Sequence, residues 1–149
     1  MIIEIVERES EWELRVAPSV QLSRVSFDGA VRLLLCDAST YRMGTAQDSA
    51  EIIIEQQFTL RAPGTEYAIS PPSFSTGEQV VALLSMLWAS VEQVLMGTDG
   101  ELTVVLDSDR TISVSSHPSY ESWGMNGSDG VKVISKPGGG LTRFSPPTQ

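Results

Sequence analysis

The feature that most constrains the fold of this chain is a similarity between its two halves. It covers three pairs of segments, at offsets of 71, 71 and 65 residues: 27–35 with 98–106, 39–43 with 110–114, and 58–70 with 123–135. Asp28-Gly29 and Asp99-Gly100 open the first pair, and such dipeptides favour hairpin turns because glycine adopts positive φ without steric cost. The similarity predicts two copies of one β-meander, with chance resemblance between amphipathic strands as the alternative.

From these halves we predict one mainly β (α+β) domain over residues 1–149, in which the two antiparallel meanders form a sandwich or a partly closed barrel. The change of offset places six extra residues in the first half, between Met43 and Phe58. The predicted segments are an N-terminal acidic hairpin (1–18), a first β repeat (20–71), a helix (75–91), a second β repeat (92–137) and a flexible tail (138–149). The hairpin is expected to extend a sheet edge or to dock onto a second copy, which would make a homodimer.

One amphipathic helix is predicted between the two halves. Six apolar residues recur at helical spacing and form a single stripe: Val80, Leu83, Leu84, Leu87, Trp88 and Val91. Ser75-Thr76-Gly77-Glu78 matches a capping box, in which the serine and glutamate side chains bond free backbone amides at the helix start. The helix is expected from about Gly77 to Ser90, packed on a sheet or between the halves. Its uncharged stretch, Gln79 to Val91, is shorter than the ~20 residues a bilayer requires, so no membrane span is predicted.

The charge of the chain argues against nucleic acids, and it suits either solubility, which is the commoner reason for such acidity, or a basic protein partner. The chain has 19 acidic and 10 basic residues, a net charge of −9, and the excess is spread over both halves. An acidic surface repels phosphate backbones, whereas it attracts a cationic protein surface. The densest cluster surrounds Arg8 and consists of Glu4, Glu7, Glu9, Glu11 and Glu13. It predicts a hairpin with an acidic outer face, on which Glu7, Glu9, Glu11 and the neighbouring Trp12 are candidate interaction residues.

No combination of residues predicts an active site or a metal centre. His117 is the only histidine and lies in a Ser-rich loop; Cys36 is the only cysteine and follows an apolar run that favours burial. The G-x-S-x-G pattern of a nucleophile elbow is missing, and one cysteine with one histidine falls short of the about four ligands of zinc. We therefore predict no catalytic residue, no metal and no cofactor. The first residues do not resemble a signal peptide, which together with the single cysteine predicts a cytoplasmic protein.

Two aromatic residues, Tyr120 and Trp123, stand out in the segment 118–123. Aromatic side chains often anchor protein interfaces, so the pair could form an exposed patch for a partner. Aromatic side chains also cap the ends of β cores, which is the alternative for both residues. The sequence leaves these two interpretations open.

The same segment opens a pattern that resembles an uncharacterised family of short actinobacterial proteins, a domain of unknown function. The family pattern is P-x-Y-E-x-W, then a G-x-D-G turn, then P-G-G and an aliphatic residue. The matching residues here are Pro118, Tyr120, Glu121, Trp123, Gly127, Asp129, Gly130, Pro137, Gly138, Gly139 and Leu141. The resemblance covers roughly residues 91–141 and implies a bacterial, cytoplasmic protein, with no activity to carry over.

Two functional hypotheses follow from the sequence. The first is a non-catalytic protein-interaction module, in concrete form an immunity-type inhibitor of a basic toxin, with Glu7, Glu9, Glu11 and Trp12 as contacts. The second is a small-ligand-binding protein or an enzyme that uses a cavity between the two β halves. Polar side chains that point inward from strands would favour the second hypothesis, and the candidates are Arg32, Arg42 and Thr103.

Overall fold

The structure is a computed structural model that describes residues 3–42, 48–71 and 77–146. In these ranges the chain forms thirteen strands and two helices. The strands are β1 (Ile3–Glu7), β2 (Glu11–Val16), β3 (Val20–Phe27), β4 (Val31–Asp37), β5 (Ser49–Ile54), β6 (Phe58–Ala62), β7 (Thr65–Ile69), β8 (Val91–Gly97), β9 (Leu102–Leu106), β10 (Arg110–Val114), β11 (Trp123–Gly127), β12 (Lys132–Ser135) and β13 (Leu141–Phe144). The helices are α1 (Ala38–Arg42) and α2 (Gly77–Leu84).

The strands form two antiparallel sheets. The seven-stranded sheet has the order β1-β2-β8-β9-β10-β6-β7, and the six-stranded sheet has the order β13-β12-β11-β5-β4-β3. Alternate residues along the strands point into the space between the sheets, where they form one buried apolar cluster. Each sheet keeps two outer strands, so neither closes on itself. The mainly β class is confirmed, and of the two predicted architectures the structure has the sandwich.

The two halves of the chain use the same order of pairings. In the first half β3-β4-β5 is a meander in the six-stranded sheet, and the hairpin β6-β7 then crosses to the seven-stranded sheet. In the second half β8-β9-β10 is a meander in the seven-stranded sheet, and β11-β12 crosses to the six-stranded one. Each crossing hairpin pairs with the meander of the other half, through β6 with β10 and β11 with β5. Common ancestry of the halves stays a prediction.

The N-terminal hairpin of β1 and β2 extends the seven-stranded sheet, because β2 pairs with β8. At one end of the hairpin a three-residue connection leads from β2 into β3, an outer strand of the six-stranded sheet. At the other end Glu7 Oε1 accepts a hydrogen bond of 2.9 Å from Arg143 Nη1, on the opposite outer strand β13. The hairpin therefore runs across the strands of the facing six-stranded sheet and is connected to both outer strands of that sheet, β3 and β13.

The similarity of residues 39–43 to 110–114 predicts a strand of the first meander there, and this prediction is wrong, because residues 38–42 form helix α1. Asp37 begins this helix, since its Oδ1 accepts hydrogen bonds from the amides of Ser39 (2.9 Å) and Thr40 (3.3 Å). The strand that occupies the place of β10 in the first half is β5, Ser49–Ile54. The extra residues of the first half therefore precede this strand. Met43 lies outside the described residues.

The predicted helix over 75–91 is also too long, since α2 ends at Leu84. Beyond it, Trp88 adopts a φ of 71° and its amide donates to the Leu22 carbonyl at 2.7 Å, while the Leu22 amide donates to Ala89. These bonds to β3 satisfy backbone groups that a longer helix would have paired internally. The buried side of α2 is Ala82 and Leu83, whereas Leu84 of the predicted stripe is 46% exposed. Ser75 and Thr76 of the predicted capping box lie outside the described residues.

The segment predicted as a flexible tail, 138–149, begins with ordered structure. Gly138, Gly139 and Gly140 all have positive φ and form a tight turn after β12. Residues 141–144 then pair with β12 as strand β13. The three glycines thus form the turn of the β12–β13 hairpin, because residues with a side chain rarely adopt these positive φ values. Residues 147–149 lie outside the described part of the chain.

Candidate interaction surface

Two turns meet at one end of the seven-stranded sheet and bring four carboxylates together. The turn between β1 and β2 contacts the turn between β8 and β9, where both the amide and the hydroxyl of Thr98 donate to the Ser10 carbonyl at 3.1 Å. We call the carboxylates in and beside these two turns the acidic corner, which consists of Glu9, Glu11, Asp99 and Glu101. Glu9, Asp99 and Glu101 are exposed and Glu11 is half-buried.

Gly97 lies between two glutamates of the acidic corner. It pairs with Glu11 on one side, and on the other its amide donates to the Glu101 carbonyl at 2.8 Å. Because glycine has no side chain, the space between these two glutamates is left to the side chain of Asp99. Asp99 Oδ1 accepts a hydrogen bond of 3.0 Å from the Glu101 amide and fills the space that a Cβ on Gly97 would need. The glycine is thus required by the folded position of the aspartate.

Ion pairs neutralise other acids of the N-terminal hairpin but not the acidic corner. Glu7 pairs with Arg143 at 2.9 Å, and Glu13 pairs with Arg8 at 3.1 Å and with Arg15 at 3.8 Å. Within residues 3–42, 48–71 and 77–146, none of the four carboxylates of the acidic corner takes part in an ion pair. Of the predicted interaction residues, Glu9 and Glu11 therefore contribute unneutralised charge, and Glu7 does not.

The predicted aromatic contacts separate in the structure. Tyr120 is 61% exposed, and its ring packs against that of His117 with 5.0 Å between centroids. Trp123 is 1% exposed, so its interpretation as a surface contact is wrong and the core-capping alternative holds. Trp12 is half-buried and packs against the core, on the same side of the sheet as Met96. Of the three aromatic candidates only Tyr120 lies on the surface.

Trp123 is held inside by a buried polar cluster. Its indole Nε1 donates to the Gly100 carbonyl at 2.8 Å, and the Ser135 hydroxyl donates to the same oxygen at 3.0 Å. The Ser122 hydroxyl in turn donates to Ser135 at 3.3 Å, and both serines are buried. The cluster joins the β8–β9 turn of one sheet to β11 and β12 of the other. It therefore fixes the turn that carries Asp99 of the acidic corner.

The G-x-D-G turn of the sequence pattern occurs twice, at residues 97–100 and 127–130, with the same geometry. In the second turn the Gly127 amide donates to the Val131 carbonyl at 2.8 Å, and Asp129 Oδ1 accepts from the Val131 amide at 3.1 Å. The last glycines of the two turns have φ values of 95° and 92°. The sequence could have shown that Asp99 belongs to such a turn. Nothing local could have shown that Asp99 and Glu101 lie beside Glu9 and Glu11, because that depends on the pairing of β2 with β8.

The two residues considered for catalysis, His117 and Cys36, have structural roles. His117 Nδ1 accepts hydrogen bonds from the amides of Ser119 (3.0 Å) and Tyr120 (3.2 Å), so this nitrogen stabilises the backbone of its own loop. Cys36 is fully buried in β4. Across the described ranges, no three side chains among His, Cys, Asp and Glu are grouped so that they could hold a metal ion.

The cavity expected between the halves is filled in the described part of the chain. Side chains of both sheets meet there in one core, with Leu14, Val94, Val104, Ile112 and Leu60 forming a continuous row across the seven-stranded sheet. Of the polar residues expected to point inward, Arg32 lies outside and pairs with Asp28 (2.8 Å) and Glu51 (3.0 Å). Thr103 likewise alternates with buried neighbours and faces outward. The side chain of Arg42 lies outside the described residues.

Comparison with known proteins identifies a family. Residues 14–145 match the model of a family described as "Family of unknown function (DUF6188)". Neither curated proteins nor solved structures give a match. The predicted membership of an uncharacterised family is thereby confirmed, over a longer part of the chain than the resemblance covered. In the described ranges, no helix has the length and apolar character that crossing a bilayer requires.

Proposed function

The chain belongs to the family of unknown function DUF6188, so we propose its role from the geometry of the chain itself. The protein is a non-catalytic interaction module that binds a basic protein through the acidic corner. The observation that carries this proposal is the convergence of four carboxylates that form no ion pair within the described residues. A charge already paired inside a protein must be released before it can serve a partner. Unpaired carboxylates attract a cationic surface without that cost and speed its association.

The scaffold under the acidic corner supports the same proposal. The β8–β9 turn is fixed by two hydrogen bonds to the Gly100 carbonyl, and it is joined to the β1–β2 turn through Thr98 and Ser10. Rigid placement lowers the entropy that must be lost when a complex forms. An immunity-type inhibitor that covers the cationic surface of a basic toxin is the concrete form of this proposal.

Charge reversal at the acidic corner tests the proposal. The corner variant carries Glu9→Lys, Glu11→Lys and Glu101→Lys; Asp99 is left unchanged because it accepts the Glu101 amide within its turn. The control variant carries Glu55→Lys, Glu92→Lys and Glu121→Lys, which lie elsewhere, are exposed, and form no ion pair within the described residues. Both variants change the net charge equally. They separate a local surface from the overall acidity of the chain.

Each protein is used as bait in host lysate, with stepwise salt elution, and captured proteins are purified for binding measurements. The expected partner is basic, binds the wild type and the control variant alike, and loses about tenfold or more in affinity for the corner variant. Its affinity for the corner variant should also depend less on salt. Equal loss in both triple variants would show that only net charge matters. A partner that binds the corner variant as tightly as the wild type would refute the proposal.

A homodimer through the outer edge of β1 is the alternative assembly. It would bring together two copies of a strand that carries Glu4 and Glu7, and like charges on facing strands disfavour pairing. Light scattering after size-exclusion chromatography at several concentrations distinguishes the two. A stable dimer at micromolar concentration would favour self-association over a basic partner.

We also propose that the protein acts in the bacterial cytoplasm. The free thiol of Cys36 supports this location, because reducing compartments keep cysteines unpaired. Cell fractionation against cytosolic and secreted marker proteins provides the test. Recovery of the chain from the culture medium of intact cells would contradict this location.

A further inference from the structure

A groove lies at the edge of the seven-stranded sheet, far along the sheet from the acidic corner. It runs between α2 and the β6–β7 hairpin and has a volume of about 660 Å³. Its floor is the side of the hairpin that points into the sandwich, with Leu60 and Tyr67, which are directly paired across the two strands. Pockets for small molecules commonly measure about 300–1,000 Å³. The groove is therefore large enough for a small ligand.

The walls of the groove are mainly apolar. Leu60 and Ala82 are buried at its base, and Val81 of α2 lies on its side while remaining 67% exposed. An apolar side chain this exposed would gain free energy if a ligand removed it from water. Leu84 is also exposed on α2 but does not line the groove. The apolar part of a ligand would thus contact Leu60, Val81 and Ala82.

The charge of the groove selects the polar end of the ligand. Glu78 is the one charged residue among the described residues that line it, and no arginine or lysine is among them. Arg110 reaches the carbonyl of Ser85 nearby, but its charge is paired with Asp107 at 2.6 Å. A carboxylate and an aromatic ring that line the same groove both favour a cation, because the negative charge and the aromatic face each attract it. An anionic amphiphile would be repelled by the Glu78 carboxylate.

We propose that this groove binds a small hydrophobic amine. Its apolar body lies on Leu60, Val81 and Ala82, and its ammonium group lies at Glu78, in the groove whose floor includes the Tyr67 ring. The groove uses none of the residues of the acidic corner, so this inference stands independently of the proposed protein partner.

Four probes with matched chains and head groups test the inference by calorimetry and by two-dimensional NMR at pH 7. They are octylammonium, octan-1-ol, octanoate and the short ethylammonium ion. We expect octylammonium to bind saturably at one site, about two- to fivefold tighter than octan-1-ol, the range of an exposed ion pair. Octanoate should bind more weakly than octan-1-ol. Ethylammonium should not bind measurably, because it has the charge without the apolar body.

Two matched pairs of variants locate the site. Glu78→Gln should remove the preference for octylammonium over octan-1-ol. Glu66→Gln should keep it, because Glu66 lies on the β6–β7 hairpin of the groove floor but is paired with Arg61 and does not line the groove. Val81→Ser should weaken both octyl probes, whereas Leu84→Ser, on the same helix but outside the groove, should not. Circular dichroism checks that each variant folds.

Three results would overturn the inference. The first is octanoate binding as tightly as octylammonium, which would remove the role of Glu78. The second is equal loss in Val81→Ser and Leu84→Ser, which would place the ligand elsewhere. The third is binding of ethylammonium as tight as that of octylammonium, which would show attraction to the general acidity of the protein.

Discussion

The buried carbonyl of Gly100 allows a direct test of what holds the two sheets together at the acidic corner. Trp123 Nε1 and the Ser135 hydroxyl both donate to this oxygen, at 2.8 Å and 3.0 Å. Either donor alone can satisfy a buried carbonyl, whereas removal of both leaves it unpaired. The two contributions should therefore not be additive.

The magnitudes follow from this geometry. Ser135→Ala should lower the free energy of unfolding by about 2 kcal/mol, because it removes two neutral hydrogen bonds, one to the Gly100 carbonyl and one from the Ser122 hydroxyl. Trp123→Phe should cost more, because it also leaves a gap in the core around a side chain that is 1% exposed. The double variant adds the cost of an orphaned buried carbonyl. Its loss should exceed the sum of the single losses by about 1–2 kcal/mol.

Urea unfolding of the wild type, the two single variants and the double variant measures the coupling energy between Trp123 and Ser135, when midpoints and slopes are compared. The cost of the gap left by Trp123→Phe occurs in both the single and the double variant, so it cancels from the coupling energy. A control cycle combines Trp123→Phe with Ser23→Ala. Ser23 is equally buried but donates to the carbonyls of Cys36 and Gln21, so its loss should add to that of the tryptophan. Additivity within about 0.5 kcal/mol in the Ser135 cycle would refute the shared-acceptor argument.

Further predictions concern turns and one cap. Asp109 has a φ of 56° in the β9–β10 turn, so Asp109→Gly should raise the free energy of unfolding by about 0.5 kcal/mol in urea titrations. Gly139 has a φ of 106°, and a Cβ there would lie 3.0 Å from the Asp99 carbonyl; Gly139→Ala should therefore lower the melting temperature, and an unchanged value would contradict the packing described. The Ser39 hydroxyl, which donates to Asp37, lowers the pKa of Asp37 below its ordinary value. The charged form of Asp37 thus stabilises the fold above pH about 3.9, and this contribution is lost as the pH falls. The difference in free energy of unfolding between the wild type and Asp37→Asn, measured by urea titration, should therefore shrink at low pH.

Much of the local structure was predictable from the sequence. Alternation of apolar residues and the Asp-Gly turns predicted the hairpins of both halves, because strand periodicity and glycine φ are short-range properties. Errors arose where a contact that the recognised pattern did not include competed with it. Residues 85–91 continue the apolar stripe of α2, yet Trp88 and Ala89 bond to Leu22 instead. Residues 39–43 match a strand by offset, yet Asp37 caps a helix there.

The candidate site also has features that were predictable from the sequence and features that were not. The sequence by itself determined the acidic character of the N-terminal hairpin, the tight turns and the scarcity of catalytic groups, since these depend on residue type and near neighbours. Only the tertiary structure decided that Glu7 is neutralised by Arg143, that Trp123 is buried, and that Asp99 and Glu101 join Glu9 and Glu11. The physical reason is that strand pairing between distant segments depends on how the whole core packs. No pattern within a few residues records that choice.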